Sequence, residues 1–484
     1  MKKIILSVAA LIFTATGFAQ SNTSTVDQTG SGNTSAVTQT GFMNDSDVDQ
    51  EGDNNDSEVT QTGDENESQV LQGPASNNNE SDVTQTGNDN YSFVWQDGDD
   101  NDSEVDQTGN DNYSYVDQWG DNNDSDVDQT GDNNSSIVLQ GYNGDNHTSI
   151  VDQQGDNNIS EVLQHGDSND SYVEQIGDSN ISDVDQLGND NQSTVWQSPS
   201  FAMLPSSDNN DSDVLQTGDD NESFVWQDGD NHISDVIQDG NDNDSYVDQY
   251  GTGSTSSVTQ TGDDNESDVF QGYLGTNHNS TVNQDGNDNY SYVFQHGNAN
   301  LSFVNQIGDD NDSDVNQNGQ FNGSSVLQNG DSNDSDVDQD GTANGSLVNQ
   351  TGDDNDSDVI QNGSNNMSGV AQIGNDNESY VNQQGVLNNS SVLQSGNDNY
   401  SEVDQIGNFN FSDVKQFGND NWSDVNQSGN NNISGVIQTG TMHISEVNQT
   451  GNFNTSTVLQ TGNNHNSLVN QVGNGNSSVV TQSN

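Results

Sequence analysis

The chain has 484 residues, of which 79 are Asp or Glu and only 3 are Lys or Arg, so its formal net charge is −76. So acidic a chain lacks the basic patches needed to bind nucleic acid or anionic lipid, and the absence of cysteine excludes disulfides and thiolate metal sites. With 26% hydrophobic residues, composition alone would predict intrinsic disorder, so the order of the residues must decide the fold.

The first nineteen residues have the pattern of a secretory signal peptide. Two lysines follow the initial methionine, an apolar h-region of ten residues comes next, and small residues precede a cleavage site between Ala19 and Gln20. The apolar run is too short to span a membrane, and no later segment reaches eighteen apolar residues. We therefore expect a signal peptide over 1–19 and a secreted mature chain over 20–484 that does not span a membrane. The mature net charge would be −78, with Lys415 as the remaining basic residue besides histidine.

From residue 22 onward the chain repeats an 11-residue unit with the consensus N-x-S-x-V-x-Q-x-G-x-x. There are 41 such units, and the serine before the valine and the glutamine after it are present in every one. All fixed residues have the same parity, so in a β-strand they point to one face while the variable residues point to the other. An α-helix would scatter this pattern around its circumference. Each unit therefore predicts a strand of about seven residues and a tight turn at Gly-x-x.

Stacking of the units explains why the inward residues are constant. One unit cannot fold alone, because burial of a valine contributes roughly 1.5–3 kcal/mol, whereas ordering each backbone residue costs about 1–2 kcal/mol. In a stack, each strand pairs with its neighbours, and identical Asn, Ser and Gln side chains meet in ladders. Two adjacent units illustrate the predicted inward residues: Asn123, Ser125, Val127, Gln129, Gly131, Asn134, Ser136, Val138 and Gln140.

This tiling resembles the curlin-repeat family, the major subunits of curli, which are extracellular amyloid fibres of bacteria. The Q-x4-N-x5-Q half of that family's motif occurs as Gln28-Asn33-Gln39 and again as Gln39-Asn44-Gln50, and it continues through nearly the whole mature chain. The resemblance implies an all-β solenoid with two strand-turn units per rung. It also implies secretion through an outer-membrane pore, nucleated polymerisation at the cell surface and a role in the biofilm matrix.

A three-sided solenoid is the alternative architecture. Outward apolar residues recur every 33 residues at Phe294, Leu327, Ile360 and Leu393, which is the spacing that three units per rung would give. The series stops at Asn426. Two units per rung is the favoured expectation, and three remains open at this point.

Insertions interrupt the eleven-residue register at four places. They lie near 73–80, 141–148, 198–211 and 272–279. The second and fourth resemble each other at an offset of 131 residues, the same offset that separates two copies of SFVWQDGD, which begin at Ser92 and Ser223. We therefore expect bulges tolerated in turns. The longest insertion holds two of the three prolines and could instead be a hinge or a contact point.

No residue pattern indicates an enzyme. Five of the seven histidines occupy the Asn position of the repeat, namely His147, His232, His278, His443 and His465. A structural hydrogen-bonding role is the simplest interpretation of that placement. Neither a catalytic triad nor an H-E-x-x-H pattern occurs, and carboxylates are so frequent that a pair of them identifies no acid/base site. We expect no catalysis and no bound cofactor.

The outward face suggests two further contacts. Acidic turns such as residues 308–312 cluster oxygen ligands that suit calcium, but they lack both the β-roll pattern and the EF-hand spacing. We therefore expect only diffuse association with calcium or other divalent cations. Trp95, Trp196 and Trp226 are predicted to face outward, where they could contact neighbouring fibres or a matrix polysaccharide.

The predicted function is that of a secreted structural subunit. It would polymerise with copies of itself into extracellular curli-like amyloid fibres that serve biofilm matrix and adhesion. A nucleator and an outer-membrane secretion pore are the further expected partners. The alternative is a monomeric acidic β-solenoid that acts as a surface adhesin or binds divalent cations.

Overall fold

A computed structural model describes residues 21–141, 144–199, 207–272 and 275–483, so the predicted signal peptide and its cleavage site lie outside the described residues. The described residues form forty-one β-strands. They contain no helix long and apolar enough to cross a membrane. The strands are β1 Thr23–Ser31, β2 Thr34–Thr40, β3 Asp45–Asp53, β4 Asp56–Thr62, β5 Glu67–Asn77, β6 Glu80–Thr86, β7 Tyr91–Asp97, β8 Asp102–Thr108, β9 Tyr113–Trp119, β10 Asp124–Thr130, β11 Ser135–Gln140, β12 Thr148–Gln154, β13 Ile159–His165, β14 Asp170–Ile176, β15 Ile181–Leu187, β16 Gln192–Gln197, β17 Asp211–Thr217, β18 Glu222–Asp230, β19 Ile233–Asp239, β20 Asp244–Thr252, β21 Thr255–Thr261, β22 Glu266–Gln271, β23 Asn279–Asp285, β24 Tyr290–Asn298, β25 Leu301–Ile307, β26 Asp312–Gln320, β27 Gly323–Asn329, β28 Asp334–Thr342, β29 Gly345–Thr351, β30 Asp356–Ser364, β31 Met367–Ile373, β32 Glu378–Val386, β33 Asn389–Ser395, β34 Tyr400–Asn408, β35 Phe411–Phe417, β36 Trp422–Ser428, β37 Ile433–Thr441, β38 Ile444–Thr450, β39 Thr455–Asn463, β40 Asn466–Val472 and β41 Ser477–Ser483.

The strands form two parallel sheets, one of odd-numbered and one of even-numbered strands. Within each sheet a strand pairs with the strands two places before and after it in the chain. Val127 of β10 therefore lies opposite Val105 of β8 and Val151 of β12, and the flanking serines and glutamines are likewise aligned. One rung, meaning one turn of the solenoid, contains one odd and one even strand. The predicted all-β solenoid with two units per rung is confirmed.

The three-sided alternative is wrong. Residues 33 apart lie three strand positions apart in the chain, so they alternate between the sheets. Phe294 and Ile360 lie in the even-numbered sheet, whereas Leu327 and Leu393 lie in the odd-numbered sheet. Their regular spacing therefore forms no single stripe on the surface.

The core is made of valines between the two sheets. At the repeat position, the valines from Val48 to Val469 are at most 5% exposed and form one cluster. Each buried valine contributes roughly 1.5–3 kcal/mol relative to an exposed one. The Asn, Ser and Gln of the units are buried beside this row, so most of the enclosed residues are polar.

The turns depend on left-handed backbone conformations. Gly131 has a φ of +128°, and a Cβ at this position would lie 1.9 Å from the main-chain oxygen of Gly155 in the next rung. Glycine is therefore required by both conformation and close approach. Two residues later, Asn133 adopts a φ of 59°, a conformation that asparagine tolerates well.

The insertions leave the stacking register intact. Across the second one, Val127 still pairs with Val151, and across the longest, Val184 still pairs with Val214. The first insertion extends β5 and shifts its pairing with β3 only after Gln50. Parts of the other three, residues 142–143, 200–206 and 273–274, lie outside the described residues.

The two copies of SFVWQDGD lie on opposite sides of the solenoid. The first contributes to β7 of the odd-numbered sheet and the second to β18 of the even-numbered sheet. β18 is the eleventh strand after β7, and a shift by an odd number of strands exchanges the sheets.

Candidate functional site: polar ladders and acidic faces

Glutamine side chains form a continuous ladder along each sheet. Gln129 donates from Nε2 to Oε1 of Gln153 at 2.8 Å and accepts from Nε2 of Gln107 at 2.9 Å. Its Nε2 also donates to the main-chain oxygen of Tyr113, in the opposite sheet, at 3.0 Å. Gln140 makes the equivalent bonds from the odd-numbered sheet. Both amide hydrogens of these buried side chains are thus used, one along the sheet and one across the core.

Asparagine side chains form a second ladder at the start of each strand. The main-chain N–H of Asn134 donates to Oδ1 of Asn112 at 2.9 Å, and its Nδ2 donates to the main-chain oxygen of Gly155 at 2.8 Å. In the even-numbered sheet, Oδ1 of Asn123 accepts from the main-chain N–H of His147 at 3.1 Å. The buried amides therefore satisfy main-chain groups that the turns leave without a strand partner.

Histidine substitutes for asparagine in this ladder. The structure places His147, His232, His278 and His443 inside the solenoid, each at most 1% exposed. The main-chain N–H of Asn169 donates to Nδ1 of His147 at 3.3 Å, in the manner of an asparagine Oδ1. Burial lowers the pKa of His232 to about 4. The ring of His232 is therefore neutral at neutral pH and serves as a hydrogen-bonding member of the ladder.

Most unit serines are buried without a hydrogen-bond partner. Ser125 and Ser136 are 1% and 0% exposed, and their hydroxyl oxygens have no partner among the described residues. Adjacent strands are about 4.7–4.9 Å apart, and most serine hydroxyls do not reach one another across that spacing. Ser467 and Ser445 differ, because the Ser467 hydroxyl donates to Oγ of Ser445 at 3.4 Å. Serine therefore stacks on its own copies in adjacent strands without a side-chain hydrogen bond in most units. Serine acts here as a small inward side chain.

Aspartates in the turns stack from rung to rung and accept main-chain hydrogen bonds. The N–H of Asp132 donates to Oδ1 of Asp156 at 2.8 Å, and the N–H of Asp156 donates to Oδ1 of Asp178 at 2.9 Å. The N–H of Asp178 in turn donates to Oδ1 of Asp208 at 2.9 Å. Hydrogen bonds to a carboxylate are stronger than neutral ones, which offsets part of the repulsion between the stacked charges. This ladder was not predicted from the sequence, although the recurrent Gly-Asp in the turns is its signal.

Carboxylates on the outer faces take up protons more readily than isolated ones. Burial, followed by the charge of neighbouring carboxylates, raises the pKa of Asp126 and Asp336 to about 6. Asp336 lies directly between Asp314 and Asp358 of the adjacent strands. The in-register stacking that aligns the amides inside thus also aligns like charges outside.

The predicted outward tryptophans lie in two separate aromatic clusters. Trp95 belongs to the odd-numbered sheet, whereas Trp196 and Trp226 belong to the even-numbered sheet. Trp196 meets Phe224 and Trp226 edge-on, with ring centroids 5.2 and 5.7 Å apart. Phe224 in turn stacks on Tyr246 at 5.0 Å. The larger cluster therefore extends over several rungs of one face.

Asp248 is a buried carboxylate that was not predicted from the sequence. It lies opposite Trp226 and Phe270 of the adjacent strands and between two tyrosines of its own strand, and it is only 8% exposed. Burial, followed by the charge of Asp228, raises its pKa to about 7. The aromatic residues two and twenty-two positions away in the sequence could have indicated that Asp248 is buried.

The acidic residues do not converge on a metal site in the described part of the chain. In the turn at 308–312, Asp309 accepts the main-chain N–H of Asn287 at 2.9 Å, while Asn311 points into the core. A cavity of about 370 Å³ opens on the outer face of the even-numbered sheet beside Tyr380 and Tyr400, lined mainly by carboxylates. Among the described residues, no three acidic or histidine side chains are grouped to hold a metal ion.

Comparison with known proteins identifies the repeat. The family profile described as Curlin associated repeat matches more than half of the chain, whereas no curated protein matches it. The matched residues are 44–73, 76–109, 98–131, 120–155, 155–188, 208–240, 234–262, 286–319, 308–341, 330–363, 352–385, 396–427 and 445–473. These segments coincide with the stacked units whose ladders are described above. The chain therefore belongs to the curlin-repeat family, a family of structural β-solenoids and not of enzymes.

Proposed function

We propose that the mature chain is secreted and polymerises into extracellular curli-like amyloid fibres for biofilm matrix and adhesion. The observation that carries the proposal is the equivalence of the rungs. Each rung presents the same strand edges and the same Gln and Asn donors and acceptors to the next. A rung of one copy can therefore stack on a rung of another through the bonds that already link rungs within the chain.

The direction of the ladders favours head-to-tail addition. Each glutamine donates toward the C-terminal side, as Gln28 does to Gln50 at 2.6 Å. On the C-terminal side, Gln482 donates to the main-chain oxygen of Asn466 and to no glutamine among the described residues. In a head-to-tail contact, donors of this kind would meet glutamine acceptors on the N-terminal side of the next copy.

Charge supports an ionic control of assembly. Forty-one strands form roughly twenty rungs, which at about 4.7–4.9 Å each give a solenoid on the order of 95 Å long. Its charge density would be roughly 0.8 per ångström, above the approximately 0.6 per ångström of B-DNA. Salt, diffusely associated calcium or other divalent cations, and acid would each reduce this repulsion. Assembly would accordingly be slow at low salt and neutral pH.

The remaining partners in the proposal follow from the family. We infer an outer-membrane pore for secretion, a nucleator for polymerisation and a place at the cell surface. The aromatic cluster around Trp196 and Trp226 supports contact with a matrix polysaccharide, because sugar rings pack well on aromatic faces. Nucleic acid is not an expected partner of so acidic a surface.

Fibre diffraction and the kinetics of assembly test the proposal on the purified mature chain. A repeat of about 4.7 Å along the fibre axis, with thioflavin binding, is the expected result. A stable monodisperse β-rich monomer would instead favour the adhesin alternative. The lag time should shorten across a salt series at neutral pH and again when calcium is added. A lag indifferent to both would contradict ionic control while leaving polymerisation itself intact.

A further inference from the structure

The two edges of the solenoid differ in charge over its C-terminal half. Turns that lead from an even-numbered to an odd-numbered strand contain no acidic residue in eight consecutive rungs, at 297–299, 319–321, 341–343, 363–365, 385–387, 407–409, 429–431 and 451–453. We name these turns the neutral edge. On the opposite edge, six consecutive turns each contain at least one aspartate, at 308–310, 330–332, 352–354, 374–376, 396–398 and 418–420.

Large apolar side chains project from the neutral edge. Phe321 is 63% exposed, Leu387 46%, Phe409 54% and Phe453 64%, although the protein as a whole has only 26% hydrophobic residues. All four occupy the same position of the turn, one residue before the inward asparagine. They therefore line up along one side of the solenoid.

These apolar residues stand where the backbone does not favour them. Phe321, Leu387, Phe409 and Phe453 have φ between 56° and 58°, in the left-handed region that bulky L-residues avoid. Elsewhere the chain usually places Asn or Asp at this position, as at Asp398. The left-handed backbone and the exposure to water thus both disfavour large apolar residues at these four positions. Their presence therefore indicates that they contact something other than their own chain.

The backbone along the neutral edge is continuous from rung to rung. The strands β26, β28, β30, β32 and β34 each extend for nine residues into these turns. Within them Gln320 pairs with Thr342, and Val386 pairs with Asn408. The edge is therefore a continuous, hydrogen-bonded ribbon.

We infer that the neutral edge is the surface through which two copies of this chain associate side by side. A second copy carries the same large negative charge, so close approach is favoured where the surface is uncharged. The acidic edge is about 23 Å away, the length of a seven-residue strand at about 3.3 Å per residue. That distance exceeds two Debye lengths of about 8 Å at physiological salt, so its charges are largely screened at the contact.

The apolar residues are spaced for a two-fold contact. Phe321 and Phe453 are each 66 residues, or three rungs, from Leu387. An antiparallel arrangement about an axis at Leu387 would place Phe321 against the partner's Phe453 and the two leucines against each other.

A contact eight rungs long and about 15 Å wide would bury on the order of 1,000 Å² in total, near the lower limit for a specific interface. Side-by-side contact would thus be weak between two single subunits and strong between two fibres, because the same contact recurs along each fibre. Only the stronger association of fibres rests on the proposed function.

The test is a variant with Phe321→Asn, Leu387→Asn, Phe409→Asn and Phe453→Asn. Asparagine suits the left-handed conformation, so folding should be retained. Electron microscopy should show paired or bundled fibres for the unaltered mature chain and at least tenfold fewer for the variant. Met442→Asn is the matched control, because Met442 is 52% exposed at a φ of 56° on the opposite edge. Unchanged bundling in the four-site variant, or an equal loss with Met442→Asn, would overturn the inference.

A charge-addition variant and a solution measurement complete the test. Asn365→Asp with Asn431→Asp places carboxylates on the neutral edge, and it should abolish pairing at low salt but not at high salt. Pairing indifferent to these charges would count against the inference. If the chain forms no fibres, the proposed function fails, yet sedimentation still measures the contact as a concentration-dependent dimer. The absence of both dimers and bundles in the unaltered chain would overturn the neutral-edge contact.

Discussion

Gln107 donates a hydrogen bond from its Nε2 to Oε1 of Gln129 at 2.9 Å, and both side chains are wholly excluded from solvent. The two residues are 22 positions apart in the chain and occupy the same place on adjacent strands. In a low-dielectric interior, chains of such amide bonds strengthen one another, and an unpaired member is costly. The ladder therefore couples the stability of each rung to that of its neighbours.

Replacing Gln129 and Gln140 together by glutamate should strongly destabilise the solenoid. Each change removes amide donors and points a buried carboxylate at the oxygen atoms of a glutamine and a main-chain carbonyl. An uncompensated buried charge costs about 3–5 kcal/mol. The midpoint of urea unfolding should fall and the lag of fibre formation should lengthen at least tenfold. Asp126→Asn, on the outer face, is the control, and equal effects from the two variants would contradict the inward position of the glutamines.

Ser136→Ala should be nearly neutral for stability or slightly stabilising. The Ser136 hydroxyl is buried and has no partner among the described residues, so its removal loses no hydrogen bond and relieves a desolvated polar group. We expect a change within about 1 kcal/mol in the free energy of unfolding. Asn134→Ala, by contrast, leaves main-chain groups without their partner and should cost about 1–3 kcal/mol. A Ser136→Ala cost as large as that of Asn134→Ala would mean that the hydroxyl does bond.

Gly131→Ala should disrupt the stack locally. Its Cβ would lie 1.9 Å from the oxygen of Gly155, and its φ of +128° strains any L-residue. We expect a loss of at least about 2 kcal/mol and faster hydrogen exchange of the strands joined at this turn. Gly323→Ala is the matched control, because nothing lies within 4 Å of a Cβ there. It should be tolerated or stabilise the protein by about 0.4–1 kcal/mol. A similar response of both variants would contradict the turn geometry.

Stability should rise as the pH falls from neutrality. The pKa of Asp126, Asp244 and Asp336 is raised from 3.8 to about 6, first by burial and then by neighbouring carboxylates. The folded state thus binds their protons more tightly than the unfolded chain does. The stabilisation of the folded state by proton binding to these aspartates is fully present below about pH 3.8 and is lost as the pH rises through about 6. Urea midpoints measured from pH 4 to 8 should decrease steadily, and a maximum at pH 8 would refute this assignment.

Asp248 should extend that pH dependence to neutrality. Its pKa of about 7 lies above the value of about 6 for Asp126 and Asp336. Asp248→Asn should therefore flatten the stability curve between about pH 6 and 8, whereas Asp126→Asn should act at lower pH. Curves of identical shape for the two variants would rule out a special environment for Asp248.

Much of the fold is predictable because two-residue parity is a local property. The spacing of Ser125, Val127 and Gln129 suffices to place them on one face of a strand, whatever the strand packs against. The number of strands per rung is not local, since an eleven-residue unit suits two or three sides equally well. It depends on how sharply the chain turns at residues such as Gly131 and Asn133, and only the structure shows that these turns bring every second strand into register.

Other features of the candidate site require distances that no pattern specifies. The serine of the repeat has the same regular spacing as the Asn and Gln, but in most units its short side chain makes no hydrogen bond to the next rung. Asp248 is distinguished from dozens of other outward carboxylates by tyrosines on its own strand together with rings contributed from adjacent strands, and the second group is identified only once the pairing of strands is known. The neutral edge likewise becomes visible only once alternate turns are known to share a side.

The position of the two SFVWQDGD copies on opposite sheets has a consequence for how such a gene can change length. Recombination between repeats adds or removes whole units, and an odd number of units exchanges faces and edges for every residue that follows. Phe321, Leu387 and Phe453 would then point to the other side of the rod relative to everything upstream. Gain or loss of two units leaves each face where it was. Changes in length that keep the neutral edge on one side of the rod are therefore restricted to pairs of units, which are whole turns of the solenoid. The ladders in the interior tolerate any number of units.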